Sequence, residues 1–124
     1  MKWIVDGMNV IGSRPDGWWR DRKGAWRRLA RQLAEYSRET GEEVRLVLDG
    51  RRPGDWADEV ETSFARGRRG AADDAIVALV QADPDPSSIR VVTSDRELAD
   101  RVRELGSEVE PASAFRAELE QPDG

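Results

Sequence analysis

Taken as a pattern of apolar and polar positions, the chain alternates between two periods. Trp3-Ile4-Val5 is a short apolar run that stops at Asp6-Gly7 and predicts a first buried strand. Residues 7–24 hold Gly7, Gly12, Pro15, Gly17 and Gly24, which predicts a long irregular loop. Trp26, Leu29, Ala30, Leu33 and Tyr36 then recur at helical spacing, with Arg27, Arg31 and Arg38 on the opposite face. Gly41 ends this helix after roughly 16 residues. Val44–Leu48 predicts a second strand, again closing on a carboxylate and a glycine, Asp49-Gly50. A polar stretch through Trp56 leads to a weak third strand near Val60–Phe64 and to the basic loop Arg66-Gly67-Arg68-Arg69-Gly70. Ala71–Ala82 predicts an apolar helix with Asp73 and Asp74 in its first turn, stopped by Asp83-Pro84-Asp85-Pro86. Ile89–Val92 is a further strand closing on Thr93-Ser94-Asp95, and Glu97–Leu105 is a helix stopped by Gly106. A short strand around Glu108–Glu110, a helix over Ala112–Leu119 and a loose tail over 121–124 complete the chain.

Strands that alternate with helices, joined by connections too long for hairpins, specify an α/β fold: a mainly parallel sheet covered on both faces. The length suits one domain, residues 1–120. In such sheets ligands bind beyond the carboxyl ends of the strands, at the switch point. Asp6, Asp49 and Asp95 stand at those ends, and Asp73 and Asp74 at one helix start. Each has a local explanation: a turn start for Asp6 and Asp49, the helix macrodipole for Asp73 and Asp74, and a Ser94/Glu97 capping box with Asp95 as an ordinary first-turn acid. The local explanations do not account for strand after strand ending in a carboxylate on one edge of one sheet.

Composition narrows the chemistry. The 124 residues include no histidine and no cysteine, which removes imidazole acid–base catalysis, thiol chemistry, disulfides and Cys/His zinc sites by counting alone. Carboxylates that crowd together repel one another, and a hard divalent cation relieves that repulsion. With oxygen donors only, Mg²⁺ or Mn²⁺ is the natural candidate. The formal net charge is -5, but it is unevenly spread. Residues 1–69 carry 15 basic and 12 acidic side chains, whereas residues 70–124 carry 5 and 13. An anionic polymer beside a cation site would suit that division. The absence of cysteine suits a reducing cytoplasm, and Met1–Asp6 meets a carboxylate too early for a signal peptide or a spanning segment. A cytoplasmic protein is expected.

Val5-Asp6-Gly7-Met8-Asn9-Val10-Ile11-Gly12, Leu48-Asp49-Gly50, Ala72-Asp73-Asp74-Ala75-Ile76 and Val92-Thr93-Ser94-Asp95-Arg96 occur in this order. In these blocks the sequence resembles the NYN domain family, in its YacP-like bacterial branch, a relative of the PIN-domain nucleases. The resemblance runs over about residues 2–118. It implies a PIN-like three-layer α/β/α sandwich and a metal-dependent ribonuclease. Asp6 then matches the first metal-binding acid and Asn9 a polar residue that orients the site. Asp73 and Asp74 match the paired acids, and Asp95 the acid after the fourth main strand. Asp49, Thr93 and Ser94 fall at supporting positions behind the ligands. Ala99 stands where related branches carry a further acid, with Asp100 beside it, which favours one tightly held metal and a second arriving only with RNA. The implied reaction is hydrolysis of an RNA phosphodiester by metal-activated water, leaving 5′-phosphate and 3′-hydroxyl ends.

Arg14, Arg20, Arg22, Lys23 and Arg27 make the first loop and the following helix start basic, with Trp18 and Trp19 inside the run. Phosphate contacts plus a stacking surface are what single-stranded RNA requires, alone or within a ribonucleoprotein. Trp3 and Trp26 are expected in the core, and one of Trp18 and Trp19 is expected to fold back onto it. Arg66, Arg68 and Arg69 are placed to meet phosphate beside the paired acids. A non-catalytic RNA-binding module is the alternative. A receiver domain would need a lysine where the chain has Val109-Glu110-Pro111, and a haloacid-dehalogenase-type phosphatase would need an acid where it has Met8.

Overall fold

The computed structural model describes residues 1–121. Its elements are β1 (Lys2–Asp6), α1 (Gly7–Ile11), α2 (Arg22–Thr40), β2 (Glu43–Asp49), β3 (Glu61–Ala65), α3 (Ala71–Ala82), β4 (Ile89–Val92), α4 (Arg96–Glu104), β5 (Glu108–Glu110) and α5 (Ala112–Glu120). The five strands form one sheet in the order β3-β2-β1-β4-β5, every neighbouring pair parallel. The chain winds outward from β1 to β3, returns across the sheet, and winds outward again through β4 and β5. The switch point therefore lies between β1 and β4.

Strand alternation divides the core into two layers. Trp3 and Val5 of β1, with Leu46, Leu48 and Val92, pack against α1, α2 and α5. Ile4, Val47, Ile89 and Val91 pack on the other face against α3 and α4. In the first layer Trp3 stacks on Phe115 at 5.1 Å between ring centroids, and Tyr36 meets both rings edge-on. The three-layer α/β/α sandwich expected from the sequence is the fold found.

The first loop departs from expectation. Residues 7–11 form α1, and Trp18–Arg20 form a 3-10 turn. The helix expected from Trp26 begins instead at Arg22 and runs for 19 residues, because the Asp21 carboxylate caps it by accepting from the Gly24 N–H at 3.0 Å. Trp56 is buried against Phe64, β3 starts one residue later than expected and α4 one residue earlier. Of the expected tail, Gln121 is exposed and residues 122–124 lie outside the described residues.

Gly7 makes the abrupt β1-to-α1 turn possible. A Cβ there would meet Leu48 Cδ2 at 2.6 Å, Leu46 Cδ1 at 2.9 Å and the Val47 carbonyl at 3.0 Å. Gly7→Ala should lower the unfolding free energy by about 1–3 kcal/mol through overpacking. An unchanged urea midpoint would show that α1 is not pressed against β2 in solution.

Candidate active site at the carboxyl edge of the sheet

Asp6 is the last residue of the central strand and only 3% exposed. Strand alternation turns its side chain toward the α3/α4 face. Its Oδ2 accepts two hydrogen bonds, from Asn9 Nδ2 on α1 and from the Thr93 hydroxyl just past β4, each at 2.9 Å. Thr93 Oγ1 in turn accepts from the Asp95 N–H at 3.1 Å, and Asn9 Oδ1 accepts from the Ser94 N–H at 3.1 Å. Ser94 Oγ accepts from the Ala112 N–H at 2.9 Å. The ends of β1 and β4 and the starts of α1, α4 and α5 are thus joined in one polar network. Thr93 meets Asp6 directly, and Ser94 joins the network through its backbone N–H and its hydroxyl.

The capping differs from the sequence reading. Asp95, rather than Ser94, caps α4, its Oδ1 accepting from the Leu98 N–H at 2.9 Å. Asp95 is thereby fixed at a helix start beside the site, and Ser94 is free to brace α5.

Three of the acids lie near enough for their charges to act on one another. Burial pushes the Asp6 carboxyl up to about 6 from 3.8, against the Thr93 and Asn9 hydrogen bonds, and the charges of Asp73 and Asp95 add to the rise. The Asp73 carboxyl is also raised, first by burial and then by Asp95 and Asp74, with Arg101 opposing. Asp6, Asp73 and Asp95 therefore act on one another. Asp74 is held differently: Arg101 Nη1 donates to its Oδ1 at 3.1 Å and Arg68 donates to its Oδ2, and the two arginines lower its carboxyl. Among the described residues no three carboxylates converge as a finished metal cage. The donors around Asp6 are all oxygen, the donor type that a hard cation such as Mg²⁺ or Mn²⁺ takes. Asp49 is exposed at the end of β2, two residues beyond the position level with Asp6. Ala99 is buried, and Asp100 is exposed within 3.9 Å of Arg103.

The basic residues of the first loop and of residues 66–69 lie mostly at the surface. Arg22 and Lys23 line a cavity of about 430 Å³ with Asp49, Arg51 and Arg52. Arg20, Arg66 and Arg69 are exposed. Arg14 pairs with Glu120, and Arg27 with Asp55 at 3.0 Å. Trp18 packs half-buried on the core, as expected of one of the pair, while Trp19 beside it is 51% exposed.

Sequence reasoning missed Arg101 and Arg116. Arg101 lies one turn after the buried Leu98, at the border of the buried face of α4, and that position is its only sequence signal. Arg116 on α5 donates from Nη1 to the carbonyls of Val10 and Ile11 at 3.2 and 2.8 Å, closing the end of α1. It also meets Asp16 and Glu120.

The switch point of the parallel sheet thus holds a buried aspartate acted on by the charges of two further acids, an acidic site at the carboxyl edge of an α/β domain. The chain belongs to the YacP-like NYN domain family, whose model matches residues 3–123. It is similar to the crystal structure of Rae1 (YacP) from Bacillus subtilis, with a TM-score of 0.76 and 29% identity. It also resembles a tryptophan-to-leucine mutant of that protein, with a TM-score of 0.80 and 27% identity. Both matches cover 97% of this chain and 74% of the other. No curated protein matches the chain. The family and these neighbours make it a ribonuclease-type domain. Among the described residues, no helix is long and apolar enough to cross a membrane.

The buried acid has a cost in stability that can be measured. Below the ordinary aspartate range both folded and unfolded chains carry Asp6 protonated. As pH rises toward about 6 the unfolded chain ionises freely while the fold resists, so stability is lost and stays lost at neutral pH. Asp6→Asn in EDTA should therefore stabilise the protein by about 2 kcal/mol at neutral pH and by much less near pH 4. Urea denaturation at the two pH values tests this, and an equal effect at both would contradict it.

Proposed function

We propose that this domain is a metal-dependent endoribonuclease that hydrolyses single-stranded RNA to products with 5′-phosphate and 3′-hydroxyl ends. The observation that carries the reading is the buried Asp6 at the switch point, oriented by Asn9 and Thr93 and facing Asp73 and Asp95. Asp6, Asp73 and Asp95 would hold Mg²⁺ or Mn²⁺, with Asp74 as a further donor. When bound, such an ion supplies Lewis-acid activation of water and offsets charge developing on the phosphate oxygens.

The chain's own residues do the positioning. Asn9 is held at its Oδ1 by the Ser94 N–H, so its amide nitrogen stays aimed at Asp6. Thr93 keeps the same carboxylate oxygen turned inward. Asp95 is fixed by its capping bond and cannot swing away from the site without uncapping α4. Outside the pocket, Arg20, Arg22, Lys23, Arg66 and Arg69 offer the strand phosphate contacts. Trp19 offers a base a stacking face beside them, as Trp18 supports it from below. A strand rather than a duplex suits this layout, since stacking on an indole needs an unpaired base.

Two measurements test the reading. Incubation with single-stranded RNA and Mn²⁺ or Mg²⁺ should give cleavage that EDTA, Asp6→Asn or Asp73→Asn reduces by at least about a hundredfold. Millimolar Mn²⁺ should also raise the melting temperature of the wild type and not of Asp6→Asn. Binding without cleavage under all of these conditions would make the domain an RNA-binding module instead. Separately, Trp19→Ala should weaken binding of single-stranded RNA about tenfold while leaving the melting temperature unchanged. Unaltered affinity would remove Trp19 from the RNA surface.

A further inference from the structure

Two guanidiniums from distant parts of the chain converge on one carboxylate at the mouth of the acid site. Arg68, in the loop before α3, donates to Asp74 Oδ2, and Arg101, on α4, donates to Asp74 Oδ1 at 3.1 Å. Arg101 also lies close enough to Asp73 to counter the rise of its carboxyl. The pair thus borders the pocket that contains Asp6 and Asp95. The side chains of Arg68, Arg101 and Asp74 are 68%, 40% and 38% exposed. Ion pairs this open to water contribute little net stability and exchange readily. Arg68 stands between Gly67 and Gly70, both at positive φ, and nothing lies within 4 Å of a Cβ built on either glycine. The loop therefore has open space on its outer side.

We propose that Arg68 and Arg101 form a phosphate-binding pair for the RNA backbone, occupied by Asp74 in the free protein and handed to a phosphodiester when a strand enters. The inference rests on the ribonuclease reading above. A phosphodiester presents two non-bridging oxygens where the carboxylate presents Oδ1 and Oδ2, and guanidinium groups suit both anions. Exchange has a second effect. Asp74, released from its two cations, is no longer neutralised by them and stands as a free carboxylate next to Asp73. A cation held by Asp6, Asp73 and Asp95 would then gain Asp74 as a further donor, so strand and cation favour each other's binding, reciprocally. Without RNA the pair keeps one acid out of an already crowded pocket.

The test measures binding in EDTA, where no cleavage intervenes, by fluorescence anisotropy of a 5′-fluorescein-labelled oligouridylate of about 12 nucleotides. Asp74→Asn should tighten binding about fivefold by freeing both arginines. Arg68→Met with Arg101→Met should weaken it at least about fivefold and lower the slope of log affinity against log salt by about 0.7 per arginine. In that double-Met background Asp74→Asn should change affinity less than about twofold, the signature of coupling in a mutant cycle. Equal tightening in both backgrounds would mean that Asp74 acts only as a repulsive charge, and the proposal would fall. So would unchanged binding by the double-Met protein. Thermal melts monitored by circular dichroism establish that each variant is folded, and Arg68→Lys with Arg101→Lys, which keeps charge but loses the planar fork, should bind between the wild type and the double-Met protein. If Asp6→Asn abolishes cleavage while the cycle shows no coupling, the ribonuclease reading survives and the phosphate pair does not. If the wild type neither binds nor cleaves RNA, both are refuted.

Discussion

Asp6 is a carboxylate placed where water hardly reaches, and such a group must find hydrogen-bond donors or surrender its charge. Both donors that reach its Oδ2 come from outside its own strand, Asn9 three residues later and Thr93 from the far half of the chain. Much of the architecture follows from bringing those two together. The chain has to turn into α1 at once after β1, which only the small Gly7 allows against Leu46 and Leu48. β4 has to lie next to β1, with Val92 level with Val5, so that the next residue faces Asp6. Asp95 then arrives at the head of α4 as that helix's cap, and its charge falls within reach of Asp6 and Asp73.

The alternation of strands and helices was readable because it is carried by long apolar periods, and so was the acidic edge, since parallel strands all end on the same side. The short helix α1 was not. Five residues ending before a glycine hold too little periodicity to outweigh the neighbouring Gly12, Pro15 and Gly17, and its end is completed by Arg116, a residue more than 100 positions away. The start of α2 was missed because its face is polar there and the cap is Asp21, a residue with no apolar run behind it. Ser94 and Asp95 are both good caps; tertiary structure decides between them, because the Ser94 hydroxyl is taken by the Ala112 N–H. Asp73 and Asp74 are adjacent and chemically alike, yet successive helix positions point in different directions, so one faces acids and the other faces arginines. No reading of local sequence separates them without knowing that Arg101 lies opposite.

The charge asymmetry between the two halves of the chain also changes meaning in three dimensions. The basic first half contributes the exposed Arg22, Lys23, Arg51 and Arg52 that line one cavity, but it also contributes Asp6, the most buried acid of the site. The acidic second half contributes Asp73 and Asp95, together with Arg101 and Arg116, which hold Asp74 and the end of α1. The acids near Asp6 come from both halves, whereas the exposed basic residues of that cavity come from the first, so the net charge of -5 describes neither.

The hydrogen bond between Asp6 and Thr93 spans 87 positions of sequence, and this has a consequence for the order in which a ribosome makes the chain. β1 emerges first, yet its inner neighbour β4 and the hydroxyl that anchors Asp6 emerge near the end, followed by the α5 arginine that secures α1. Folding of a nascent chain proceeds from whatever has already been made, and no stretch ending before residue 93 contains both Asp6 and the hydroxyl that anchors it. The network around Asp6 is thus closed only once residues 93 to 95 have been made.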